Sequence, residues 1–196
     1  MAGVDQETPR HRRTDPDRRD RIIDAALELI ATEGVAGISH RKIAAAADVP
    51  LGSMTYHFAG MEELLREAFA RFATSVSDQI DRRMDAAHDR DSAVDALVEH
   101  IEEDIFGSPR ELVLTHELYT LAARRPEYRA LTAAWMTKSR TSLERYFDPT
   151  TTRLLDALVE GLTIHRALDT APPPPGLARE AVVRILGSTG AERPSS

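Results

Sequence analysis

Residues 38–58, ISHRKIAAAADVPLGSMTYHF, constrain the fold of this chain more than any other stretch. Ser39 is a good N-cap, because its hydroxyl can accept from the free N–H groups of a first helical turn. Ile43, Ala46 and Ala47 follow as a narrow apolar stripe at i, i+3, i+4, and the small alanines let another helix approach closely. Asp48 stands where the chain must turn, and Asp tolerates left-handed backbone better than most residues with a Cβ. Pro50 has no N–H to donate, so it suits the opening of a second helix running to about Tyr56. Two short helices joined by a turn of about three residues form the helix-turn-helix pattern, whose second helix lies in the DNA major groove.

This stretch, with the Glu-Glu-Leu-Leu of Glu62–Leu65 after it, resembles the DNA-binding module of the tetracycline-repressor-like (TetR) family of transcriptional regulators. The residues that carry the resemblance are S-x-R-x-I-A-x-A-A from Ser39 to Ala47, Val49-Pro50 at the turn exit, and Tyr56-His57-Phe58. It covers Arg18 to about Phe69 closely, and the rest of the chain in helix number and length. Two positions depart from the family pattern. Asp48 stands where the family usually has Gly, and Met61 where it usually has a phosphate-binding Lys.

The resemblance implies an all-α chain with a three-helix DNA-binding domain over residues 16–65. A helical ligand-binding and dimerisation domain would fill residues 66–190, with disordered tails at 1–15 and 191–196. It further implies a homodimer on a palindromic double-stranded operator, acting as a repressor that a small-molecule effector releases, with no cofactor and no metal. Leu51, Gly52 and Thr55 match the family's base-contacting face. Leu51 and the Thr55 methyl suit a thymine methyl, and Gly52 permits close backbone approach. Arg41 is the candidate for bidentate donation to guanine, with a phosphate contact as its competing role. Ser39, His40, Lys42, Ser53, Tyr56 and His57 are candidates for phosphate. His57 could instead pack beside Phe58, and Lys42 could simply be solvated.

Charge fits local docking better than general polyanion binding. The chain's net charge is −7, yet residues 10–60 carry 8 basic and 7 acidic side chains, and residues 61–196 carry 17 and 23. There is no cysteine, which excludes disulfides, thiol chemistry and Cys-type zinc sites. No run of apolar residues is long enough to suggest a membrane span. No apolar segment follows the basic Arg10–Arg13, so a signal peptide is not expected and a cytoplasmic protein is.

Elsewhere the periodicity is helical throughout. Arg10, His11, Arg12 and Arg13 form either a minor-groove arm or a solvated tail. Asp15-Pro16 predicts the start of a first helix, with Ile22, Ile23, Ala26, Leu27 and Ile30 on its apolar face and Gly34 at its end. Gly60 opens a longer helix whose stripe runs Leu64, Leu65, Ala68, Phe69, Phe72, Val76, Ile80. Val94, Leu97, Val98, Ile101 and Ile105 make another amphipathic face. Ser108-Pro109-Arg110-Glu111 reads as a capping box before Leu114, Leu118 and Leu121. Pro126 starts a segment with Tyr128, Leu131, Trp135, Tyr146 and Phe147 as core candidates. Asp148-Pro149 restarts the chain into Leu154, Leu155, Leu158, Leu162 and His165. Pro172–Pro175 is a stiff linker before a last helix carrying Leu177, Ala181, Val182, Ile185 and Leu186. No strand is evident, and roughly nine helices are expected.

Enzyme signatures are missing. There is no G-x-S-x-G, Walker loop or H-E-x-x-H, and none of the seven His has Glu three residues before it, as a di-iron bundle requires. His100, His116, Tyr119, Trp135 and Ser139 interrupt apolar helices and are candidates for a ligand cavity, or else are satisfied core and surface residues. Leu154, Leu158, Gly161, Leu162, His165, Val182 and Ile185 are the candidate dimer surface, since the last two helices offer more apolar face than one chain can cover. Two alternatives stay open: a helix-turn-helix activator or ligand-independent repressor, and a helical-bundle enzyme or binding protein without DNA function.

Overall fold

The computed structural model describes residues 17–104 and 108–189. The basic run at 10–13, the Asp15-Pro16 helix start, Ile105 and the 191–196 tail lie outside the described residues. Among the described residues there are nine α-helices and no strand. They are α1 (Arg18–Glu33), α2 (His40–Ala46), α3 (Gly52–His57), α4 (Met61–Ala86), α5 (Arg90–Glu99), α6 (Pro109–Arg124), α7 (Pro126–Leu143), α8 (Pro149–Leu168) and α9 (Leu177–Thr189). A 3-10 turn, Val35–Gly37, follows α1, and a π-helical turn, His100–Asp104, follows α5.

Helix ends follow local chemistry. The Ser108 hydroxyl accepts from the Glu111 N–H, with Pro109 at the first helical position of α6. Asp148 Oδ1 accepts from the Thr150 and Thr151 N–H groups, each at 3.0 Å, and Pro149 opens α8. Gly34 closes α1 at φ 71°, where its N–H reaches the Ile30 carbonyl at 2.9 Å. A Cβ there would also stand 2.8 Å from Glu117 Oε1 of α6, a contact that the flexible Glu117 side chain could relieve, so it is the backbone angle that calls for glycine.

The long stripe of α4 divides between two cores. Leu64 to Val76 packs with α1, α2, Met54 and Phe58, and with Leu114, Leu118 and Ala122 of α6 and Tyr128 of α7. Ile80 and Met84 pack instead with α5, Leu143, Phe147, Leu155 of α8, and Ala178 and Val182 of α9. Each fully buried Leu, Ile or Phe contributes roughly 1.5–3 kcal/mol relative to exposure. The first core therefore binds the helix-turn-helix to α6 as well as to α4.

One residue of the expected α2 stripe turns outward. Ile43, Ala44 and Ala47 are buried, whereas Ala46 is exposed. In a helix of only seven residues the inward face is set by what it packs against, here α1 and α3.

Candidate nucleic-acid interface and ligand cavity

The helix-turn-helix is held from behind. The Ser39 hydroxyl caps α2 by accepting from the Lys42 N–H at 3.3 Å. Asp48 adopts φ 51°, the left-handed conformation that the turn demands, and the Val49 N–H returns to the Ala44 carbonyl at 3.0 Å. The Pro50 carbonyl then accepts from the Ser53 N–H at 2.8 Å and starts α3. Met54 and Phe58 are buried and pin α3 to the core, with the Arg19 guanidinium 5.0 Å from the Phe58 ring centre.

What remains faces solvent. Leu51 and Tyr56 are 55% and 81% exposed, and Arg41, Gly52 and Thr55 are exposed beside them. The Thr55 hydroxyl donates to the Gly52 carbonyl at 3.2 Å, which leaves its methyl as the free group. A Cβ on Gly52 would meet nothing within 4 Å, so the chain's own packing does not call for glycine there. His40 and His57 are half-buried, and the Tyr56 ring meets the His57 ring edge-on at 4.9 Å.

Two of the expected phosphate ligands are placed differently from the rest. Ser53 is buried on the core side of α3. Lys42 is tied back, its ammonium donating to the Gly37 carbonyl at 2.7 Å and to the Glu33 carboxylate. Nine residues separate Lys42 from Glu33, too far for a periodicity pattern to reveal the pair.

At the start of α4, Glu62 accepts from Arg125 at 2.6 Å and from the Tyr128 hydroxyl at 2.8 Å. Those bonds, Arg125's first, hold the Glu62 carboxyl below its ordinary range, and burial pushes the Tyr128 hydroxyl up. Arg71 of α4 likewise pairs with Asp20 and Asp24 of α1, and Arg110 of α6 pairs with Glu28 of α1. These contacts join α1 to α4 and to the start of α6, and α4 to the α6–α7 corner.

Between α4, α6, α7 and α8 lies a partly open cavity of about 60 Å³. That is well below the range of occupied small-molecule sites, roughly 300–1,000 Å³, so a ligand has to widen it. Of the five expected lining residues, His100, Tyr119, Trp135 and Ser139 meet there. His116 does not line it, and its Nδ1 lies 2.7 Å from the Leu112 carbonyl of its own helix. Trp135 and Tyr119 stack with centres 6.0 Å apart, and Phe72 meets Trp135 edge-on at 6.2 Å.

Sequence reasoning missed Thr115, Asp156 and Glu160, which also line the cavity. The i, i+4 spacing of the two acids inside the leucine-rich α8 was the available signal. Asp156 pairs with Arg140 at 3.3 Å, and burial pushes its carboxyl up against that partner's opposing pull. Burial, reinforced by the Glu160 carboxylate, pushes the Tyr119 hydroxyl up as well.

Of the expected dimer residues, Leu154 and His165 are exposed, and Leu158, Leu162 and Ile185 are half-buried. Gly161 has open space where a Cβ would stand. Val182 is fully buried inside its own chain against α5, while the next residue, Val183, is 51% exposed.

A helix-turn-helix presenting a bare reading face, fused through one core to helices that line a partly open cavity, defines a DNA-binding transcriptional regulator. Residues 22–68 match the family described as bacterial regulatory proteins, tetR family, and residues 88–188 match the tetracyclin repressor-like C-terminal domain. The chain belongs to the TetR family, whose members are regulators rather than enzymes.

Among solved structures, SCO7518 from Streptomyces coelicolor A3(2) is 56% identical, covering 87% of this chain and 98% of that one, with a TM-score of 0.82. The multidrug binding protein EbrR complexed with ethidium is 37% identical over 86% of this chain and 98% of its own, with a TM-score of 0.71. The nicotine-responsive transcriptional repressor HdnoR of Paenarthrobacter nicotinovorans is 26% identical over 57% of this chain and 58% of its own. The chain spans less than two thirds of the length of the curated relatives it matches. No helix among the described residues is long and apolar enough to cross a membrane.

Proposed function

We propose that this protein is a cytoplasmic homodimeric repressor that leaves a palindromic operator when a small molecule enters the cavity. The observation that carries the reading is the double duty of α6. Leu114 and Leu118 sit in the core that holds Ile43 and Met54 of the helix-turn-helix, while Thr115 and Tyr119 of the same helix line the cavity. At about 60 Å³ the cavity is too small for a ring system as it stands. A larger ring system must part the helices to enter, and moving α6 moves the core behind the reading face. HdnoR is named as nicotine-responsive and EbrR as a multidrug binding protein, which fits a ligand-operated switch in this branch of the family.

On DNA, Arg41, Leu51, Gly52 and Thr55 would meet base edges, and Ser39, His40, Tyr56 and His57 the phosphates. The second copy would join through α8 and α9, where Leu154, Leu158, Ile185 and Val183 leave apolar surface in solvent. Two heads on one two-fold axis call for a palindrome with half-sites about one helical turn apart or a multiple of it. Selection of bound sites from a random DNA library should enrich such a palindrome. Recovery of no common motif would refute the reading.

A further inference from the structure

We infer that the cavity takes flat aromatic organic cations, with Glu160 as the counter-charge, the Trp135–Tyr119 stack as the ring-binding face, and the Thr115 hydroxyl as a hydrogen-bonding partner. The inference rests on the reading of this cavity as the effector site. No Lys or Arg lines the cavity, whereas two carboxylates do. Asp156 already has Arg140. Among the described residues no cation pairs with Glu160, whose visible polar contact is the Tyr119 hydroxyl. An anionic ligand would meet these carboxylates without compensation, and a neutral one would leave the Glu160 charge half-covered beside apolar walls. A positive charge removes that cost and is attracted to the faces of Trp and Tyr as well.

The second observation is independent of charge. Thr115 is only 2% exposed and lines the cavity, yet its hydroxyl has no hydrogen-bond partner. A Thr inside a helix ordinarily bonds back to a carbonyl one turn earlier, as Thr141 does to Thr137. A buried hydroxyl left unpaired is costly, and a ligand N–H or polar atom reaching it would satisfy it.

The test uses the full-length protein and two probes: ethidium, a permanent cation, and phenanthridine, its uncharged parent ring system. Wild type should bind ethidium at least about tenfold more tightly than phenanthridine. Glu160→Gln should cut that ratio by about tenfold or more, and Thr115→Val should weaken ethidium, whose amino groups can reach the hydroxyl. The ratio is internally controlled, since a variant with a damaged fold lowers both affinities together. Equal wild-type affinities, or a ratio unmoved in Glu160→Gln, overturn the inference. If phenanthridine binds and releases operator DNA while ethidium does neither, the ligand class is wrong and the effector site stands. If ethidium binds with the expected preference yet lowers operator affinity no more for wild type than for Glu160→Gln, where only intercalation into the DNA remains, the ligand class stands and the switch falls.

Discussion

Side chains on the reading face of α2 and α3 stand clear of the chain, with Tyr56 81% exposed, whereas the polar groups of the cavity are enclosed. Thr115 is buried, Asp156 is paired with Arg140, and Glu160 is set against Tyr119. A surface meant for a large partner can leave its contacts to that partner, because water serves them meanwhile. A cavity for a small molecule must arrange its polar groups beforehand within apolar walls. Truncations on the reading face should therefore cost partner affinity and little stability, while truncations around the cavity or its shared core should cost both.

The largest effect should come from the element common to both regions. Phe69 is fully buried in the core that joins Met54 of α3 to Tyr128 of α7, its ring edge-on to Tyr128 at 6.1 Å. Phe69→Ala should cost about 3–5 kcal/mol in denaturant unfolding. The helix-turn-helix and the cavity should unfold in one transition, and two separated transitions would break the comparison. Next comes Arg41→Ala, expected to cost about 1–3 kcal/mol of operator affinity and to relax preference at one base position per half-site. Ethidium affinity of that variant, measured without DNA, should stay at the wild-type value.

Ser39→Ala removes the cap of α2 and should cost about 1 kcal/mol of stability in the same unfolding assay. The smallest effect belongs to Glu62, an exposed ion pair worth about 1 kcal/mol or less. Its folded carboxyl titrates below the ordinary carboxyl value of 4.5, so its contribution is present above that pH and is lost as pH falls through the lower folded value. Glu62→Gln should flatten that acid limb of the stability-versus-pH curve. An unchanged limb would mean that the Arg125 and Tyr128 contacts do not bear on folding.

Features governed by neighbouring residues were legible in the sequence. The Ser39, Ser108 and Asp148 caps, the left-handed Asp48 and the α4 stripe each depend on a few residues close in the chain. Features governed by which face meets which neighbour were not. Ala44 and Ala46 both suit a short amphipathic helix, and only packing on α1 selects the first. Val182 and Val183 differ by one step of α9, about 100° of rotation, and α5 decides which turns inward. Asp156 and Glu160 become cavity residues only because α6 and α7 pack against α8. Lys42 was unpredictable for the same reason, because its partner Glu33 comes from the end of another helix.

The central claim is that cavity and reading face are energetically one device, and reciprocal binding tests it most directly. With an operator obtained by selection, its affinity for wild type and for Glu160→Gln should be titrated without ethidium and at the concentration that saturates wild type, so that intercalation of the dye into the DNA, common to both proteins, cancels. A ligand that prefers the DNA-incompetent state should lower operator affinity about 5–150-fold, a coupling of roughly 1–3 kcal/mol. Operator DNA must then weaken ethidium binding by the same factor. Equal operator affinities with the cavity empty and filled would contradict the claim.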